Sequence, residues 1–120
     1  VGILDKPEKL PWLSAGLFAR HMETAQGTAL TRGLRAAKAR PSLVKGSIGS
    51  VKRALAAADA ATRRDAAEAI RKAVLAKVID LKDGEDILAG RLADETEPVL
   101  KAELTGSLEQ VRGMTPQAQQ

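Results

Sequence analysis

Alanine is the feature of this sequence that most limits what the chain can fold into. Of the 120 residues, 22 are alanine and 15 are leucine, whereas there is one tryptophan, one phenylalanine and no tyrosine. Alanine is the strongest intrinsic helix former, so this composition favours helices throughout the chain. It also favours a thin core, because a buried alanine removes much less apolar surface from water than a buried leucine. We therefore expect helices that approach one another closely through small side chains.

Apolar residues recur at intervals of three and four along most of the chain, which is typical of amphipathic helices. The expected fold is an all-α bundle of four or five antiparallel helices with short connections. The length of the chain fits one domain, which we place at 10–113. Residues 1–9 carry a proline within a mixed charge cluster and are expected to be an extended lead-in. Residues 114–120 are polar and are expected to be a disordered tail.

Proline and glycine mark the predicted helix boundaries. Pro41 is the clearest breakpoint, because the residue before a proline is pushed out of the helical region. The segment 11–39 is predicted to be one bent helix or two, since Gly27 and Gly33 each weaken its middle. Pro98 is expected to kink or restart the last helix, because proline removes a backbone donor.

Three helix starts are predicted from capping residues. Thr62 followed by Asp65 resembles a capping box, which predicts either a new helix at 62 or a helix that continues through this point. Asp83 is expected to cap the next helix, whose first turn is acidic. The last helix is expected to be capped by Thr96 or Glu97.

Small residues follow Pro41 at a spacing of four. Ser42, Gly46 and Ser50 would share one face of an α-helix, which would let a neighbouring helix approach closely. An equally good interpretation is that Gly46 and Gly49 mark a loose loop before a helix that starts near Ser50. Gly46 and Ser50 are accordingly candidate docking residues.

Charge is unevenly distributed along the chain, whose formal net charge is +4. The segment from Thr24 to Ala58 has seven basic residues and no acidic one, whereas the segment from Asp80 to Glu109 has nine acidic residues against three basic ones. The members of the basic segment are Arg32, Arg35, Lys38, Arg40, Lys45, Lys52 and Arg53. The chain is thus electrically dipolar along its sequence.

Three interpretations of this segregation remain open. The acidic last helix and the basic second helix are expected to lie near each other, with solvated faces whose ion pairs are individually weak. Alternatively, the patches meet complementary neighbours in a protein assembly. The third interpretation is nucleic-acid binding through 32–53, although this segment has no aromatic residue for stacking and no recognition-helix motif.

No constellation of residues points to catalysis, a metal or a cofactor. The chain has one histidine and no cysteine, so neither a histidine pair nor a thiolate can hold a metal within it. The carboxylates at 85–86 and 94–97 are expected to form a solvated acidic face rather than a calcium site. Lys45-Gly46-Ser47 lacks the glycine-rich approach of a phosphate-binding loop. We therefore predict a protein that is not an enzyme and takes no cofactor.

Both aromatic residues lie in the segment 10–19. The favoured interpretation makes Trp12 and Phe18 the bulky pieces of the core. The alternatives are an amphipathic stretch at a membrane surface or an anchor in a partner's groove, in which case Trp12 and Phe18 are docking candidates. No apolar run reaches the roughly 20 residues of a transmembrane helix. The start at Val1 would suit a processed mature chain and leaves the compartment undetermined.

The leading functional hypothesis is a non-catalytic helical subunit or adaptor that docks with other protein subunits in a larger assembly. It rests on the thin core, the segregated charge and the absence of catalytic groups. The alternatives are a basic nucleic-acid-binding protein that uses 32–53 and peripheral attachment to a membrane surface through 10–19.

Overall fold

Every regular element of the computed structural model is helical over residues 15–118, the part of the chain that it describes. Six α-helices are present there instead of the four or five predicted, together with one 3₁₀ helix. The α-helices are α1 (Ala15–Thr24), α2 (Gly27–Ala39), α3 (Ile48–Ala54), α4 (Ala60–Leu75), α5 (Leu81–Asp94) and α6 (Pro98–Ala118), and the 3₁₀ helix is Pro41–Ser47. The all-α class is thus confirmed, and the predicted count of four or five is wrong because the chain divides into separate helices wherever the prediction left a bent or continuous helix open.

The first division falls at 25–26, so the segment predicted as one helix or two forms two helices. Gly27 begins α2 with φ of +56°, a left-handed backbone conformation that glycine adopts without steric cost. The second division follows Pro41, which begins a 3₁₀ helix before α3. A 3₁₀ helix has about three residues per turn, so the spacing of four does not place Ser42, Gly46 and Ser50 on one face.

The structure moves two of the predicted helix starts and keeps the third. Asp59 caps α4, because its carboxylate accepts hydrogen bonds from the Thr62 backbone amide at 3.0 Å and from the Thr62 hydroxyl at 2.9 Å. These bonds favour the charged form and lower the pKa of Asp59. Asp80 caps α5 through the amide of Lys82 at 3.2 Å. The predicted caps Thr62 and Asp83 are therefore wrong.

The start of the last helix agrees with the prediction. Pro98 is the first residue of α6, and the Glu97 carboxylate accepts a hydrogen bond from the Val99 amide at 3.2 Å. Proline fits this position because the first amides of a helix have no partner within it. The helix continues to Ala118, so the predicted polar tail falls partly in α6 and partly outside the described residues. The predicted lead-in 1–9 lies entirely outside the described residues.

Helix α4 lies at the centre of the fold. It packs against α2, α3 and the 3₁₀ helix on one side and against α5 and α6 on the other. The result is a flat molecule with extents of 38 × 35 × 19 Å. Alanine supplies many of the buried positions of this central helix, which brings its neighbours close. Its buried residues are Thr62, Ala66, Ala67, Ala69, Ile70, Ala73 and Val74.

Two glycines mark the closest helix contacts. Gly33 of α2 lies against the sulfur of Met22 in α1, and Gly84 of α5 lies against a methyl group of Val74 in α4. A Cβ atom at either glycine would overlap that neighbour. Tight contacts at small residues are therefore found at Gly33 and Gly84, and neither residue belongs to the predicted face of Ser42, Gly46 and Ser50.

Lys77 follows α4 in a left-handed conformation, with φ of 62°. The amides of Lys77 and Val78 donate to the carbonyls of Val74 and Ala73 at 3.0 and 2.8 Å. This is the hydrogen-bond pattern of a Schellman motif, whose left-handed residue is usually glycine because a Cβ atom strains it.

We expect Lys77→Gly to raise the free energy of unfolding by about 0.5–1 kcal/mol, since glycine removes this strain. The matched control is Ala76→Gly, because Ala76 has an ordinary φ of −86°. That change should lower the stability by a similar amount, about 0.5–1 kcal/mol. Urea unfolding followed by circular dichroism measures both variants, and a loss of stability in Lys77→Gly would contradict the prediction.

Candidate functional site

The predicted docking residues fall in different environments. Trp12 lies outside the described residues. Phe18 is fully buried in the core and Ser50 is buried beside it, so neither side chain is available to a partner in this fold. Gly46 is exposed on the 3₁₀ helix.

Several cations of the basic segment are engaged within the chain. Lys38 forms an ion pair with Asp65 of α4 at 2.9 Å. Arg53 donates from Nη2 to the carbonyl oxygens of Met22 and Glu23, at 2.8 and 3.1 Å, and so holds the end of α1. The carboxylate that pairs with Lys38 therefore lies on α4 and not on the acidic last helix.

Four members of the basic segment, Arg35, Lys45, Lys52 and Arg53, are exposed. The two lysines border a groove between α3 and α5. Both helices pack against α4 but have little contact with each other, so a channel is left between them. Its volume is about 570 Å³, and it is lined by Lys45, Ile48, Lys52, Val78, Ile79, Asp80, Asp83, Asp86 and Ile87.

The groove continues towards the carboxyl end of α5. A further space of about 390 Å³ shares Lys52, Asp86 and Ile87 with the first and extends to Asp94. The groove therefore follows all of α5, whose 14 residues correspond to about 21 Å. At the far end, Arg91 donates to the carbonyl oxygen of Leu55 at 3.1 Å and ties α5 to the end of α3.

The two walls of the α3–α5 groove carry opposite charge. Lys45 and Lys52 line one wall. The other wall carries Asp80, Asp83, Asp86 and Asp94 together with Arg91, whose charge is paired with that of Glu95. Between them lie the aliphatic side chains of Ile48, Val78, Ile79 and Ile87, which are all half-buried. The channel thus has an aliphatic floor between charged borders.

One aspartate of the acidic wall has a neighbouring cation on its own helix. Lys82 donates to Asp86 at 3.0 Å in an exposed ion pair, and this hydrogen bond raises the pKa of Lys82. Exposed pairs of this kind are individually weak.

A buried ion cluster holds α5 and α6 in place beside the groove. Glu95 accepts hydrogen bonds from Nε and Nη2 of Arg63, both at 2.9 Å, and Arg91 lies 3.5 Å from the same carboxylate. The Glu97 amide donates to it at 3.0 Å. The bonds from Arg63, with those from Glu97 and the charge of Arg91, outweigh burial and lower the pKa of Glu95.

A second hollow of about 740 Å³ lies between the α1–α2 and α3–α4 connections. Alanine, glycine and threonine make up most of its lining. Its two charged residues already have partners, since Arg53 binds the end of α1 and Asp59 caps α4. This hollow therefore offers less to a ligand than the α3–α5 groove.

Residues 15–118 contain no cluster of side chains placed to hold a metal ion. His21 lies 3.4 Å from the carbonyl oxygen of Ala29, and no group of three or more histidine and carboxylate side chains is placed to share a metal ion in this range. None of the helices described there has the length and apolar character needed to cross a bilayer.

The sequence pattern alone missed the groove. It assigned the carboxylates at 85–86 and 94–97 to a solvated face and predicted Asp83 to be a helix cap. The available signal was the extra apolar residue Ile79, which follows Val78 outside any helical period.

Comparison of the chain with known protein families, with curated proteins and with solved structures finds no match.

Proposed function

We propose that this protein is a non-catalytic helical adaptor or structural subunit that binds a helix of another protein in the α3–α5 groove. The observation that carries the proposal is the groove itself, with its half-buried aliphatic floor between charged walls. Docking of an amphipathic helix in a hydrophobic groove is a recurrent mode of protein recognition.

The expected free energy of binding indicates a weak, reversible contact. Full burial of one aliphatic side chain contributes about 1.5–3 kcal/mol, so completing the burial of four half-buried ones contributes about 4 kcal/mol. The partner's apolar side chains add a similar amount, whereas association and ordering cost about 4–15 kcal/mol. At the low end of this cost about 4 kcal/mol remains, so we expect an affinity of about 1 mM for one isolated helix. A larger assembly would add further contacts.

The proposal is tested with a synthetic helix of about 14 residues, the length of the groove. The peptide carries a leucine stripe among alanine and glutamine, is otherwise neutral and is labelled for fluorescence anisotropy. Ile87→Asp is expected to weaken its binding at least about tenfold, because docking would bury the new carboxylate.

The matched control is Val99→Asp. Val99 is a 57% exposed aliphatic residue at the start of α6 and does not line the groove. The Val99→Asp substitution should change the affinity for the peptide by less than about twofold, as expected of a surface site away from the contact. Circular dichroism verifies that both variants keep their helices. Absence of binding to the unmodified protein, or equal losses in the two variants, would exclude the proposal.

Nucleic-acid binding through 32–53 is a weaker alternative. Lys38 and Arg53 already have partners, and Lys45 and Lys52 face aspartates that would repel a phosphate backbone. DNA binding at low salt that falls steeply as salt is raised would favour this alternative. Membrane attachment through 10–19 has less support, because Phe18 is buried and half of that segment lies outside the described residues.

A further inference from the structure

We propose that the helix recognised by the α3–α5 groove is amphoteric, with an apolar stripe between one acidic edge and one basic edge. This inference rests on the proposed function and specifies the chemistry of the partner. It follows from the elements that border the groove and from the charges on its two walls.

The elements that border the groove require a helical partner. An extended peptide needs unpaired backbone groups such as those of a sheet edge, and residues 15–118 contain no strand. Inside the groove its own amides and carbonyls would lose water without gaining partners. A helix satisfies these groups internally, and its side chains can reach both walls. The groove accommodates about 14 helical residues, or four turns.

The walls define the charge pattern of that helix. Lys45 and Lys52 are seven residues apart and face an acidic edge of the partner. On the other wall Asp83, Asp86 and Asp94 of α5 face a basic edge. A helix with two acidic edges would place one of them against the aspartates, and a helix with two basic edges would place one of them against the lysines, so like charges would repel in both cases. The groove therefore disfavours both uniformly charged classes.

Reversing the direction of a docked helix exchanges its two edges. Charge complementarity consequently fixes the orientation of an amphoteric helix in the groove. A peptide with exchanged edges could bind in the opposite direction, so it is no control. The informative controls have the same charge on both edges.

The test uses four labelled peptides with the same leucine stripe: neutral edges, one acidic and one basic edge, two acidic edges, and two basic edges. The amphoteric peptide is expected to bind about tenfold more tightly than the neutral one at low salt. This gain should shrink in 0.5 M sodium chloride, where the Debye length falls to only a few ångströms. Neither uniformly charged peptide should bind more tightly than the neutral one.

Charge reversal of one wall provides the second arm. With Lys45→Glu and Lys52→Glu combined, both walls are acidic, so the peptide with two basic edges should become the preferred one. Arg35→Glu is the matched control, because Arg35 is exposed but lies outside the groove. It should leave the order of the four peptides unchanged.

The outcomes separate this inference from the proposed function. If the neutral peptide binds and the amphoteric peptide gains nothing, the charge pattern is wrong while the groove remains a docking site. If no peptide binds, the proposed function fails as well. Trp12 is the single tryptophan and reports on the amino-terminal segment. A shift of its emission caused by Ile87→Asp without any peptide would identify residues 1–14 as the occupant and overturn the inference.

Discussion

Replacing Glu95 by alanine is expected to lower the free energy of unfolding by about 3 kcal/mol, near the lower limit for breaking a buried ion pair. The Glu95 side chain has no solvent exposure, and its carboxylate receives Arg63, Arg91 and the Glu97 amide. Without it, the two arginines become neighbouring like charges. Their side chains keep 14% and 16% of their exposure, and this access to water places the effect at the lower limit.

The matched control for Glu95→Ala is Glu103→Ala. Glu103 pairs with Arg64 at 2.7 Å, but both side chains are 47% exposed. Its removal should cost less than about 1 kcal/mol, as for other surface ion pairs. Urea unfolding curves of the two variants provide the comparison. Losses of equal size would show that the Glu95 cluster contributes no more than a surface pair.

The Glu95 cluster also predicts a dependence of stability on pH. Because folding lowers the pKa of Glu95, its contribution is present above the unfolded value of about 4.3 and is lost as pH falls through the lowered folded value. Glu95→Gln should therefore lose less stability than the unmodified protein between about pH 5 and pH 2. Some slope should remain, since folding also lowers the pKa of Asp59. If the free energies of unfolding of the two proteins fell in parallel as the pH is lowered, the prediction would be contradicted.

Replacing Gly84 by alanine is expected to lower the free energy of unfolding by about 1–3 kcal/mol, as for other insertions into packed interiors. The added Cβ atom would overlap a methyl group of Val74. Valine has a stiff side chain with one strongly preferred rotamer in a helix, so α4 and α5 must move apart instead. Met22, which lies against Gly33, ends in a flexible thioether, and Gly33→Ala should therefore cost less.

Gly90→Ala is the control within the same helix. Nothing lies within 4 Å of a Cβ atom at Gly90, so alanine there should raise stability by about 0.5–1 kcal/mol. Combining Gly84→Ala with Val74→Ala should cost less than the sum of the two single changes, because the new methyl group occupies the vacated space. Thermal unfolding of the two single variants and of the double variant measures this double-mutant cycle. Strict additivity would show that the two residues do not meet.

Local chemistry explains the features that were predictable from the sequence. Pro98 begins a helix because its missing amide and fixed φ suit a first turn, and Glu97 stands where a cap is needed. Pro41 ends α2 for a similarly local reason, since it restricts Arg40. Such constraints act within a few residues and do not depend on the rest of the fold.

The choice among neighbouring caps required the tertiary structure. Asp80 and Asp83 are both good capping residues by composition. The Gly84 amide donates to the Asp80 carbonyl oxygen at 2.9 Å, which closes the first turn of α5, and Gly84 packs against Val74 from that turn. In the same way Thr62 is buried in the first turn of α4, which leaves the capping role to Asp59.

The groove depended still more on tertiary structure. Its walls come from α3 and α5, and its floor includes Val78 and Ile79 between α4 and α5. No periodicity within one segment records how far apart two helices lie when both pack on a third. The docking residues predicted from local spacing, Gly46 and Ser50, were separated by the 3₁₀ turn between them.

Alanine content by itself determined the helical class and the close approach of helices, since both follow from the propensity and size of one residue type. Only the tertiary structure decided which small residues meet. Gly33 and Gly84 do so because each faces a bulky side chain of the neighbouring helix. The role of these glycines depends on two helix surfaces in contact, and the sequence of one chain segment describes only one of the two surfaces.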